Sequence, residues 1–302
     1  MGEKTIVHRF STLFYSVKIA PYVFVLPFIA TFLVFFLYPT LNTLFMSFHS
    51  IVGVGEWEFV GLENYQRLQN RHFFNALRTS SWFTFYTVIL LIPIPLLVAV
   101  LLNSSLLPGR NVFRSILFVP SLVSVIVAGV AFRLLFGNTA AGFVNSVLIQ
   151  MGREPVRWMF SEPTGMFIMV VLGTWRWAGV NMIYFLSGLQ AIPRELYESA
   201  DIDGASSLRK LSAITIPLLK PISIYVLTIS IYGGFSMFTE SFVYWNESMP
   251  ADLGLTMVRY IYQQGLLRND FGMGSAIGLA LLAIVFVVNI IQLAFFGLFR
   301  KD

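Results

Sequence analysis

Six stretches of the chain are almost wholly apolar, and the polar positions gather in the segments between them. The apolar runs cover roughly Ile19–Phe48, Trp82–Leu102, Phe113–Phe136, Gly165–Leu189, Leu218–Phe242 and Gly272–Phe299. Each is at least as long as the roughly 20 residues that an α-helix needs to cross hydrocarbon. The pattern predicts an all-α integral membrane protein with six transmembrane helices, forming one domain over residues 1–302. The fourth and fifth runs are the least uniform, because they carry Trp175, Arg176, Asn181 and Glu240. One connecting segment, residues 190–217, is polar, partly acidic and long enough to fold in water.

Composition supports a membrane protein. Of 302 residues, 57% are hydrophobic and 12% are charged. Soluble domains carry about 25% charge. The chain has no cysteine, which excludes disulfides and thiolate metal sites. A net charge of +5 comes with no basic tract suited to nucleic acid. The stretch Met1–Lys18 is polar and basic, with no cleavable-signal pattern.

The charges also predict an orientation. Lys4, Lys18, Lys210, Lys220 and Lys301, joined by Arg110, Arg114, Arg194, Arg209 and Arg300, fall on one side of a six-span topology. On the other side arginines such as Arg67 and Arg153 are offset by acids such as Glu56, Glu58, Glu154 and Asp252. Basic residues mark the cytoplasmic face. Both termini and the 190–217 insert are therefore expected in the cytoplasm, with 49–78, 137–164 and 243–271 outside.

Within the insert, Pro193 suits a first helical position, and Glu195 and Glu198 suit the positive end of the helix. Asp203-Gly204 signals a turn. Ser206 or Ser207 can cap a second helix, Leu208 to Ile214, which Pro217 is expected to close.

The spacing of Glu198, Ala200, Gly204, Ile214 and Pro217 resembles the "EAA" loop of binding-protein-dependent ABC importer permeases, with Ser199 and Ile216 as mild departures. Phe59-Val60-Gly61-Leu62-Glu63-Asn64-Tyr65, the run Arg114 to Pro120, and Phe271 to Ala276 are similar to stretches of the same family. The likeness extends from about Pro21 to Phe299 and is to the MalF-like half of carbohydrate importers. Trp175-Arg176-Trp177, Ala200 to Ala205 and Tyr262 to Leu266 are most like its arabino-oligosaccharide permeases.

That resemblance implies a type I importer permease fold in the bacterial cytoplasmic (inner) membrane. It implies a second, MalG-like permease, two cytoplasmic ATPases and an external sugar-binding protein as partners, with lipid around them and no nucleic acid. Glu195, Glu198, Ala200, Asp201, Asp203, Gly204 and Ala205 then belong to the ATPase-coupling loop. The family's sugar site maps to Gly179–Asn181 and Phe235–Phe242. Sugars need flat apolar faces and hydrogen-bonding groups together. Trp175, Gly179, Asn181, Tyr184, Tyr232, Phe235, Ser236, Thr239, Glu240 and Phe242 are the candidates for lining a substrate pathway. Helix packing is the plainer explanation for several of them. Arg176 with Glu240 is a possible pair, and Arg133 is expected to snorkel toward the outer surface.

The chain carries no G-x-x-x-x-G-K-[ST], so it is expected to hydrolyse nothing itself. ATP and magnesium belong to the partner ATPase, and no cofactor is expected here. Leu186-Ser187-Gly188-Leu189-Gln190 only mimics an ATPase signature. His8, His49 and His72 form no metal set. A permease of the same build for another solute, such as glycerol phosphate, is the nearest alternative; an ion-coupled carrier leaves the polar insert unexplained.

Overall fold

The computed structural model describes residues 17–53, 57–104, 107–245 and 250–297. The two termini lie outside the described residues. The expected helices are present, with breaks that the apolar runs conceal. The first span is helical over Ala20–Ser47, the second over Arg71–Asn103, the fourth over Glu162–Gln190, the fifth over Lys220–Trp245 and the sixth over Phe271–Phe295. The second begins well before Trp82, because its first three turns carry buried Phe73, Ala76, Thr79 and Ser80 among polar residues.

The third span departs most from expectation. Instead of one rod over Phe113–Phe136, two helices, Arg110–Leu122 and Val125–Leu135, meet at 93°. Val123 and Ser124 are extended, with ψ of 132° and 131°. The first half packs along the fourth span and the second lies against the end of the fifth. Exposed Arg133 sits on that second half, where its side chain can reach a surface.

The fifth span is also interrupted. Lys220–Phe235 and Thr239–Trp245 are helical, and Ser236 to Phe238 are not. Thr256 Oγ1 donates to the Met237 carbonyl (2.7 Å), which satisfies an acceptor that the break frees. Irregular backbone at membrane depth is tolerated where protein or a cavity surrounds it.

The fourth span is the hub, packing on the second, third and fifth. A Cβ at Gly179 would overlap the Leu117 carbonyl oxygen and come within 2.7 Å of the Leu117 carbonyl carbon. Only glycine permits that approach to the third span.

Core side chains fall into clusters at the two ends. One joins Leu102, Leu189, Ile192 and Leu219, with Leu107 and Tyr197 against it, below the polar insert. At the opposite end, Trp245, Tyr244 and Phe132 form one cluster, and Leu68, Leu255, Met257 and Tyr260 another. Two of the family-like motifs interlock at that end. Buried Asn64 donates to the Ser47 and His49 carbonyls (3.0 and 2.9 Å) and accepts from Arg67 (3.1 Å). Arg67 pairs with Asp270 at 2.6 Å, and Asp270 caps the sixth span through the Met273 N–H. Gly272 lets this helix start press against the His49 backbone. The first and last spans are thereby fastened through one polar knot.

Candidate functional site

Two regions carry the chemistry that the sequence singles out. The first is the insert. Glu195–Ile202 and Ser207–Lys210 are helices joined at Gly204, whose φ of +69° is a left-handed turn. Helix geometry explains the details. Pro193 lies outside the helix, and Arg194 rather than Pro193 precedes its first turn. Ser206 caps the second helix by accepting from the Arg209 N–H (3.4 Å). That helix does not end before Pro217. A π-helical stretch, Leu211–Thr215, carries the chain into Ile216–Leu218, so Pro217 sits at the start of a renewed turn, where its missing N–H is harmless.

Asp201 accepts a 2.6 Å bond from Lys210 Nζ, and Tyr197 shares a 2.9 Å bond with Thr215. Both bonds cross from the first helix of the insert to the segment that follows Gly204, so Asp201 is engaged within the insert itself. A groove of about 240 Å³ runs between Ala200, Asp203, Ala205 and the basic pair Arg209 and Lys210. Glu195 and Glu198 remain exposed. Beside Gly204, Ile202 and Leu208 are exposed at 88% and 77%. The sequence reading passed over both, although each is an isolated apolar residue in a polar setting.

The second region is a cavity of about 510 Å³ between the second, fourth and fifth spans, touching Val125 at the start of the third span's second half. Asn181, Tyr184, Tyr232, Ser236, Thr239 and Glu240 line it, together with Arg176, Trp177, Tyr225, Phe238 and Thr87. The other four candidates lie elsewhere. Trp175 rests on Phe132 with ring centres 5.7 Å apart. Gly179 is closed off by Leu117. Phe235 is buried outside the lining, and Phe242 packs on Phe238 and Tyr262. On the fourth span Arg176, Trp177, Val180, Asn181 and Tyr184 share one helical face, and Trp175 and Gly179 fall outside it.

Arg176 Nη1 donates to Glu240 Oε1 at 2.8 Å, and both side chains are nearly buried, 13% and 11% exposed. The guanidinium also lies 5.7 Å from the Trp177 ring centre. Asn181 has a structural duty as well. In an unbroken helix the Leu91 carbonyl would accept from the residue four positions on, but that residue is Pro95, which has no N–H. Asn181 Nδ2 supplies the donor at 3.1 Å and reaches Ser230 Oγ at 3.2 Å. Replacing Asn181 with leucine should therefore orphan a buried carbonyl and destabilise the protein by about 1–3 kcal/mol. Thermal unfolding in detergent checks this without any solute; an unchanged midpoint would refute it.

Above the cavity, Arg259 is buried and binds the Ser241 carbonyl (2.8 Å) and hydroxyl (3.1 Å), with Phe242 5.7 Å from its guanidinium. Burial lowers its pKa to about 10. Arg259 ties the short helix Met257–Ile261 to the end of the fifth span. Among the described residues, no group of histidines and carboxylates is arranged to hold a metal.

Comparison with known proteins agrees with this architecture. A family model described as "Binding-protein-dependent transport system inner membrane component" matches residues 85–301. The chain is 54% identical, over 96% of its own length and 92% of the relative's, to the arabinooligosaccharides transport system permease protein AraP of Bacillus subtilis (strain 168). It is 32% identical, over 93% of its length and 94% of the relative's, to the trehalose/maltose transport system permease protein MalF of Thermococcus litoralis. A crystal structure of a bacterial ABC transporter involved in alginate import contains a chain that superposes with a TM-score of 0.81 at 22% identity, covering 93% of this chain and 96% of that one. The spans, the insert and these matches together make the chain a member of the binding-protein-dependent transport system inner membrane components, with the fold of an ABC importer permease.

Proposed function

We propose that the chain forms half of the pathway through which an uncharged oligosaccharide, of the arabino-oligosaccharide class, enters the cell. The observation that carries this reading is the cavity within the spans, where Trp177, Tyr184, Tyr225 and Tyr232 face Asn181, Ser236 and Thr239. Aromatic faces suit sugar C–H surfaces, and the amide and hydroxyl groups suit sugar hydroxyls. The names of the similar arabinooligosaccharide and trehalose/maltose permeases support the carbohydrate class.

The remaining half of the pathway belongs to a second permease. The insert docks on a cytoplasmic ATPase, which hydrolyses ATP with magnesium, and an external binding protein delivers the sugar. Lys210 and Lys220 at the insert favour the cytoplasmic side for that end. ATPase closure then moves the insert, and the insert moves the fifth span joined to it.

The test is the assembled transporter in lipid nanodiscs with its binding protein. Arabinotriose should stimulate ATP hydrolysis several-fold, and glycerol phosphate should not. Stimulation by glycerol phosphate with none by arabinotriose would overturn the reading.

A further inference from the structure

The cavity lining includes only two charged residues among the described ones, Arg176 and Glu240, and they are bonded to each other. We infer that this ion pair is a specificity determinant: it cancels the charge of the pathway, so that neutral sugars enter and acidic ones are refused. The inference rests on the carbohydrate reading above and adds a selection rule to it.

The physical basis is the range of the field. A lone guanidinium in a site of low dielectric attracts a carboxylate far more strongly than it would in water. A guanidinium paired at 2.8 Å presents a dipole, whose field falls off faster with distance. An entering uronate would lose its hydration without gaining a counter-charge, a cost that the hydroxyl groups of a neutral sugar do not incur. The pair also stays polar enough to be useful. The Arg176 side chain keeps 13% of its surface exposed, so the pair stays within reach of a solute. Trp177 beside it supplies a flat face. The pair bridges the fourth span and the helix that follows the fifth-span break, which places it where both surfaces meet the solute.

Selectivity should therefore be convertible by removing one partner. Glu240→Gln keeps the shape and leaves Arg176 as an unopposed cation. The measurement is equilibrium binding of arabinotriose and of trigalacturonate to the assembled transporter in nanodiscs, without binding protein, so that delivery does not set the preference. The wild type should bind trigalacturonate at least tenfold more weakly than arabinotriose. Glu240→Gln should gain tenfold or more for trigalacturonate, and the gain should shrink as salt is raised. The double variant Arg176→Gln, Glu240→Gln should lose the gain. The charge swap Arg176→Glu, Glu240→Arg should restore the wild-type preference, and it covers the case in which an unpaired buried charge prevents folding.

A Glu240→Gln protein with the wild-type sugar ratio would overturn the inference. So would a double variant that gains as much as Glu240→Gln. Failure of the wild type to bind arabinotriose at all would count against the carbohydrate reading instead, because the trigalacturonate gain is read against the double variant.

Discussion

Changing Gly179 to alanine should weaken the assembly of the spans, whereas the same change at Gly233 should be tolerated. The two glycines look alike in sequence, each inside an apolar span beside aromatic residues. Their surroundings are opposite. A Cβ at Gly179 would overlap the Leu117 carbonyl oxygen and lie 2.9 Å from the Phe118 Cα, whereas a Cβ at Gly233 would meet nothing within 4 Å. Backbone atoms cannot rotate away as a flexible side chain would, so the fourth span must shift off the third. Overpacking of this kind costs about 1–3 kcal/mol. Gly179→Val should do worse and reduce recovery of monodisperse protein. Thermal unfolding monitored by size-exclusion chromatography in detergent provides the comparison. Equal midpoints for Gly179→Ala and Gly233→Ala would show that the close contact does not govern stability.

At Gly204, replacement should separate transport from folding. Its φ of +69° is costly for residues other than glycine and asparagine, and a Cβ there meets nothing within 4 Å in this chain. The protein should remain folded in the membrane. Two variants distinguish the reasons for loss of coupling. Gly204→Asn tolerates the left-handed turn but adds bulk; Gly204→Val adds bulk and also strains the turn. If an ATPase presses closely on the bend between exposed Ile202 and Leu208, both variants should lose most sugar-stimulated ATP hydrolysis. If only the turn matters, Gly204→Asn should retain it. Normal stimulated hydrolysis in both would remove Gly204 from coupling.

Much of this was legible in the sequence, and the exceptions have physical causes. Span positions, the glycine bend and the Ser206 cap follow from local patterns that leave few alternatives. The right-angle break at Val123 and Ser124 was not legible, because neither residue is a helix breaker and the apolar run continues through it. The turn goes with tertiary packing: the first half lies on the fourth span and the second on the end of the fifth. The cavity was half legible. Residue type marked Asn181, Tyr232 and Glu240, but Gly179 is turned onto Leu117 by packing of the fourth span on the third, and Phe235 is the last helical residue before the fifth-span break. The Arg176–Glu240 pair was anticipated as a chemical match across 64 residues. The Asn181–Leu91 bond required knowing that Pro95 would face the fourth span, which no local pattern states.

The first span offers a different lesson. Its first helix, Ala20–Phe32, buries no residue, and only its last stretch, Tyr38–Ser47, packs extensively on the sixth span. The knot of Asn64, Arg67 and Asp270 secures that end alone. A lever clamped at one end takes the tilt of whatever surrounds its free arm. For this helix the surroundings are the lipid and any neighbouring subunit, so bilayer thickness can set its angle without disturbing the cavity. The family match, which begins at residue 85, leaves this arm outside it.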